Sequence, residues 1–335
     1  MKNAKTTGLI LGFLLLILVL LSICLGSVPV PLRDLLKVLR CFFTGKAIPD
    51  DLRGSANILM LLRLPRTVMM MLAGAALGCS GASYQGLFRN PLADPYLIGV
   101  SAGAGLGAVI SLSVPHTTAL LTPAFAFCFG LAAVGAVILL GNVRGTAPVT
   151  GMLLAGIAVN ALASAATNGW MLLSGEELRK SFSWMLGGGG IAGWNEVGAA
   201  APLILISILG QYCYAYPLNG LQFGEEDAAQ LGISVRNVRL GSILFSTLGV
   251  AAAISFNGII GFIGLVVPHI LRLWIGGDYR RLIPLSALGG AFGLLLADIL
   301  ARTILAPREL PVGIITALIG APFFLWLLRH SSGED

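Results

Sequence analysis

The sequence predicts an all-α integral membrane protein with about ten transmembrane helices, in one membrane domain covering residues 1–335. Its 21 Lys and Arg and 15 Asp and Glu amount to 11% of the chain, against roughly 25% in a soluble domain. With 56% of residues hydrophobic and a mean hydropathy of +0.90, so few charges cannot clothe a water-facing surface. Long uncharged runs also recur from end to end. Each is near the roughly 20 residues that cross a hydrocarbon core of about 30 Å.

Charge-free runs locate the elements, because a charge at mid-bilayer costs about 2.5–3.5 kcal/mol on insertion scales. The first span is expected over 8–28. Lys2 and Lys5 before an apolar run suggest a signal peptide, but the run is too long, and Ile23 before Cys24 is not the small residue a lipoprotein site needs. The second span is expected over 61–86. The uncharged run 95–143 must turn back once, at Pro115, His116 and Thr117, which gives spans over 96–113 and 119–141. Spans over 148–173 and 195–215 follow, then 234–257, a Gly-rich and Pro-interrupted segment over 259–275, and finally 281–305 and 311–329.

The 44 glycines cluster as Gly74, Gly78, Gly81, then Gly99, Gly103, Gly107, then Gly258, Gly261, Gly264. Spacings of three and four put each set on one helix face, where small residues let helices approach closely in lipid. The five cysteines show no C-x-x-C spacing and read as small hydrophobes. His116, His269 and His330 fall at expected loop or helix ends, so no metal site and no cofactor are expected. The net charge of +6 reads as basic loops beside lipid headgroups rather than as nucleic-acid binding.

The Lys and Arg balance does not choose an orientation. With the N-terminus inside, ten basic residues lie on the inner side and eleven on the outer. Seven of the outer ones, Arg33, Lys37, Arg40, Lys46, Arg53, Arg63 and Arg66, gather around the first outer loop, which suits docking of an acidic soluble partner.

No G-x-x-x-x-G-K-[ST] phosphate loop is present, since Gly45-Lys46 is followed by Ala47. ATP-driven transport would therefore need a separate ATPase. Coupling to an ion gradient would need an ionisable group inside a span, for which Asp298 is the candidate; equally, Asp298 and Arg302 at i and i+4 can form a helical salt bridge. Gly224, Glu225, Glu226, Asp227, Ala228, Ala229, Gln230, Leu231 and Gly232 read as a short helix outside the membrane, acidic in its first turn and closed by glycine. So short a helix is marginal alone and is expected to dock on something. Ser181–Leu186, with Ser183 and Trp184, followed by Gly187, Gly188 and two more glycines, is too short to span and should line a cavity or the outer interface. Trp184 and Trp194 also fit the role of interfacial aromatics.

Arg63-Leu64-Pro65-Arg66-Thr67, Asn90-Pro91-Leu92-Ala93-Asp94-Pro95, Gly99-Val100-Ser101-Ala102-Gly103-Ala104-Gly105, Gly261 to His269 and Leu296-Ala297-Asp298-Ile299 resemble, in order, the permease subunits of type II ABC importers. That family takes up ferric siderophores, haem and vitamin B12. The resemblance implies a non-enzymatic permease in the cell membrane that works as a homodimer with the pore between the copies. It also implies two cytoplasmic ATPase subunits, a substrate-binding protein on the outer side, and a cytoplasmic N-terminus. Arg63, Arg66 and Arg302 then stand at the outer mouth against acidic residues of the binding protein. The segment 224–232 is the helix that couples to the ATPase, and Ser183, Trp184, Gly187 and Gly188 belong to a short gate helix. Val149 and Thr150 correspond to an inner constriction, although Val149 stands where relatives commonly carry a small hydroxyl residue. An ion-coupled secondary transporter is the alternative reading, and a passive channel a second one.

Overall fold

A computed structural model describes residues 3–26, 30–44, 48–114, 119–141, 149–173, 178–189 and 192–331. Among them there is no strand. The helices are α1 (Ala4–Cys24), α2 (Leu32–Thr44), α3 (Arg53–Asn57), α4 (Leu64–Leu87), α5 (Val100–Leu112), α6 (Leu121–Gly141), α7 (Val149–Leu173), α8 (Leu178–Met185), α9 (Trp194–Cys213), α10 (Ala215–Leu221), α11 (Glu225–Gln230), α12 (Val235–Asn257), α13 (Ile263–Ile275), α14 (Tyr279–Thr303) and α15 (Val312–Ser331). Seven stretches of the described residues are long and apolar enough to cross a membrane, one of them the 38-residue run Asp50–Leu87 that ends in α4. The shorter apolar helices α5, α13 and the first part of α15 add to these.

Local chemistry sets the helix ends. Asn3 accepts from the Lys5 amide to open α1, and Asp278 accepts from the Arg280 amide to open α14, each satisfying an otherwise orphaned donor. Pro65 stands in the first turn of α4, where its missing N–H costs nothing.

The centre of the bundle is α4, α12 and α14. Buried residues make up 72% of the α12 span and 67% of the α14 span, against 22% for α1 and 17% for α7. That contrast separates packed core from rim. Glycine permits the tightest crossing: a Cβ on Gly74 would lie 2.2 Å from the Gly290 carbonyl oxygen, and one on Gly290 would lie 2.0 Å from that of Gly74. In lipid, where apolar burial gives no net drive between helices, such backbone contact is a main source of adhesion.

Polar pairing adds to it. Gln211 of α9 accepts from Ser83 of α4 at 2.8 Å and from Ser246 of α12 at 3.2 Å, and it donates to Ser207 at 2.9 Å and to Ser80 at 3.3 Å. A buried amide is thus satisfied on both its atoms and links three helices at once.

Several expectations change. The segment 259–275 is not one helix: α13 begins only at Ile263, and Gly258 (φ +79°) and Phe262 (φ +68°) break the backbone before it. Gly258, Gly261 and Gly264 therefore share no helix face, and Gly261 has open space where a side chain would be. Gly99 (φ +91°) caps α5 instead of lying within it. His269 lies in the middle of α13, not at its end. The amphipathic helix α2 stands in what reads as a loop, with Val38 buried against Ile23, Leu52, Ala56 and Leu59. The turn expected at Pro115–Thr117 lies outside the described residues.

Candidate functional site

Three arginines meet at one end of the bundle, and they point inward. Arg63 donates to the carbonyls of Ile23 and Cys24, both at 2.7 Å. Arg302 donates to Ser22 Oγ at 2.8 Å and forms an ion pair of 2.9 Å with Asp298. Both arginines are buried, so they tie the open carbonyls at the C-terminal end of α1 to α4 and α14 instead of standing as free cations. Arg66 is half-buried and bridges two carboxylates, Asp298 at 2.9 Å and Glu309 at 2.6 Å. Asp298 is fully buried between Arg66 and Arg302. The salt bridge expected within α14 is therefore one limb of a larger network that crosses helices. Exposed positive charge at this end includes Arg33, Lys37 and Arg40 along α2, Arg179 and Lys180 of α8, and Arg308. Arg53 is also exposed but is paired with Asp50 at 2.8 Å.

Beside this network, α8 and the glycines after it form a junction of bare backbone. Gly187 adopts φ +82°, which an L side chain rarely tolerates. A Cβ at Gly258 would lie 2.2 Å from the Trp184 carbonyl oxygen, and one at Gly313 2.4 Å from that of Leu186. Gly189 donates to the Asn257 carbonyl at 3.0 Å and Gly188 to that of Ser183 at 2.9 Å. The end of α8, the turn after α12 and the start of α15 thus nest without side chains between them. Trp184 is buried here, which corrects its reading as an interfacial aromatic. Trp194 is half-exposed and donates to the Met60 carbonyl at 2.7 Å. A cavity of about 190 Å³ lies between Arg66, Glu309, Ser183 and Gly187–Gly189.

A larger cavity of about 510 Å³ is lined by Asp94, Tyr96, Ser101, Asn160, Ser164 and Asn168, among others. Asn160, Ser164, Thr167 and Asn168 recur at helical spacing, so α7 turns a polar stripe to the cavity within an otherwise apolar span. Asp94 Oδ1 accepts from the Tyr96 amide at 2.7 Å. Burial pushes the Asp94 carboxyl up to about 6, a rise that this hydrogen bond only partly opposes. A neighbouring stripe on α7, Leu154, Ala158, Ala161, Ala165 and Gly169, is exposed. Val149 and Thr150 form the first turn of α7, with Thr150 exposed, and the residues before them lie outside the described set.

The acidic helix α11 lies at the opposite end of the bundle. Arg239 of α12 pairs with Glu225 and Ala228 is buried, so one face of α11 is anchored. Glu226, Asp227, Ala229, Gln230 and Leu231 are exposed. Gly224 (φ +126°) and Gly232 (φ +78°) turn the chain on either side. Sequence reasoning missed Phe223, 73% exposed before α11 as Leu231 is 69% exposed after it; a lone aromatic next to an acidic turn was the available signal. It also missed Glu309, whose 243-residue separation from Arg66 leaves no trace in local pattern, and the polar stripe of α7, whose period of three and four was legible.

The comparisons with known proteins agree with this architecture. Residues 14–330 match the FecCD transport family. The chain is 42% identical over 336 residues to the hemin transport system permease protein HmuU of Yersinia pestis, covering 98% of this chain and 97% of that one. It is 43% identical over 268 residues to the cobalamin import system permease protein BtuC of Halobacterium salinarum, covering 80% and 72%. A solved structure described as an inward-facing, metal-chelate type ABC transporter superposes with a TM-score of 0.82 at 26% identity, covering 98% and 99%. A charge-poor helical bundle, matched over nearly its full length, belongs to the FecCD transport family as a membrane-spanning permease subunit.

Proposed function

We propose that this permease serves an ATP-driven importer of a metal chelate or corrinoid, such as a ferric siderophore, haem or cobalamin, and works as a homodimer with the pathway between the copies. The observation that carries this reading is the placement of the α7 polar stripe. Asn160, Ser164 and Asn168 face a cavity beside an exposed small-residue stripe. A second α7 seated on that stripe would close the cavity into a conduit, by the close approach that small residues allow. A wall of small polar groups set among apolar ones, with no fixed cation among its named lining residues, suits a bulky cargo that must bind weakly and leave.

The two ends serve different partners in this reading. Phe223, Leu231, Glu226 and Asp227 form an apolar and acidic knob that docks in an ATPase subunit, so that ATPase closure is passed to α12 through Arg239 and Glu225. The arginine end receives the extracytoplasmic binding protein, with Arg66 as its reachable guanidinium and α2 adding Arg33, Lys37 and Arg40. Arg63 and Arg302 act there by holding α1 in place. The Gly187–Gly189 junction is the outer gate, and the start of α7 at Val149 and Thr150 the inner constriction. Asp298, held between two arginines, is poorly placed to carry a coupling ion, which counts against a secondary transporter. The test is reconstitution of the permease with its ATPase and binding protein in vesicles: uptake should require ATP and hydrolysis should rise with loaded binding protein. Uptake driven by an ion gradient without ATP would overturn the reading.

A further inference from the structure

The two carboxylates on Arg66 are not equivalent. Asp298 is fully buried, lies inside α14 and is shared with Arg302. Glu309 is 36% exposed, lies on the connection between α14 and α15, and meets Arg66 at 2.6 Å. An ion pair with an exposed partner is worth little on balance, because water competes for both groups, whereas breaking a buried pair costs several kcal/mol. Arg66 thus has one permanent partner and one that can be exchanged. Glu309 and the following residues Leu310–Val312 also form one wall of the 190 Å³ cavity, whose opposite wall is Ser183 and Gly187–Gly189. The exchangeable carboxylate and the glycine junction therefore share a boundary.

We propose that Glu309 is a built-in stand-in for a carboxylate of the docking protein: it occupies Arg66 at rest, and an acidic side chain of the incoming binding protein takes its place. This rests on the docking of a binding protein at the arginine end. Exchange has two consequences. Docking strength is set by a difference between two carboxylates on one guanidinium, which keeps the complex weak enough to dissociate after delivery. Release of Glu309 also removes one tie on residues 309–312, the wall against the gate glycines, at the moment when cargo arrives above them, while the Leu310 amide keeps its 3.0 Å bond to the Ala301 carbonyl.

The experiment uses the intact permease–ATPase complex in nanodiscs, with the substrate-binding protein of the same transport system as probe and its Kd read by interferometry. Glu309→Gln should tighten binding about fivefold or more. Arg66→Ala should weaken it, and in the Arg66→Ala background Glu309→Gln should change nothing. A Glu309→Gln complex that binds within twofold of the wild type, or more weakly, overturns the proposal. If Arg66→Ala itself leaves Kd unchanged, the docking reading fails instead. A second measurement needs no change at Glu309: a spin label at Arg308→Cys, in a background lacking the native cysteines, should gain mobility when binding protein is added. An unchanged spectrum at saturating binding protein overturns the exchange.

Discussion

Arg302, near the end of α14, donates to the hydroxyl of Ser22 in the last turn of α1 at 2.8 Å, and that hydroxyl also meets Thr67 of α4 at 2.8 Å. Three helices are thus pinned through one small side chain. Replacing Arg302 by Ala leaves Asp298 with only Arg66 and leaves buried oxygens without a donor, a loss of about 3–5 kcal/mol for a broken buried pair. The thermal midpoint of the purified protein should fall by several degrees, and Arg302→Lys should recover only part of it, because an ammonium cannot reproduce the planar fork.

At the glycine junction after α8, Gly258→Ala should prevent normal assembly, since the new methyl meets the Trp184 carbonyl oxygen in a backbone conformation of φ +79°. Strain of this kind costs about 1–3 kcal/mol before any clash is counted. Gly261→Ala is the control, with nothing within 4 Å of the added atom. Size-exclusion yield and thermal midpoint of the two variants should separate clearly; equal behaviour would show that the junction is slack.

Phe223→Ser and Leu231→Ser change exposed side chains, so the permease alone should keep its thermal midpoint. Association with the ATPase should weaken by at least tenfold in the double variant, because apolar anchors dominate docking energetics. Titration of purified ATPase onto immobilised permease measures this, and undiminished affinity would remove the knob from the interface.

Asp94 gives a pH dependence of known sign. Its folded-state value of about 6 lies above the 3.8 of a freely solvated aspartate, so in the window from about pH 4 to 6 the native protein holds a proton that the unfolded chain has released. Stability from this group therefore falls as pH rises through that window and stays low above it. Asp94→Asn keeps an acceptor for the Tyr96 amide and removes the penalty, which is about 3 kcal/mol or less. The variant should unfold at a higher temperature than the wild type at pH 7.5, and the gap should close towards pH 4. A constant gap would mean that Asp94 is well solvated in the cavity.

The sequence announced its spans because the bilayer imposes one rule over some 20 residues, and uncharged runs obey it wherever packing later places them. The acidic turn of α11 was legible for a similar reason: Glu225, Glu226 and Asp227 sit together between two glycines. Burial of the arginines was not legible. Arg63 reaches across 40 residues and Arg66 across 243, and no local period records who faces whom. Gly258 misled for the opposite reason: a spacing of three and four looks helical, yet the glycines there serve turns and contacts between backbones. The α2 helix escaped because its mixed charged and apolar pattern fails a test built on uncharged length.

The Gln211 knot has a bearing on biosynthesis. Ser83 enters the bilayer with α4 while its acceptor is still 128 residues from being translated, and Ser246 follows later still. Until then α4 carries the Ser83 hydroxyl in the membrane without this native acceptor. Insertion machinery that shelters early helices from lipid, or a pause that lets α9 and α12 emerge together, would shorten that exposure.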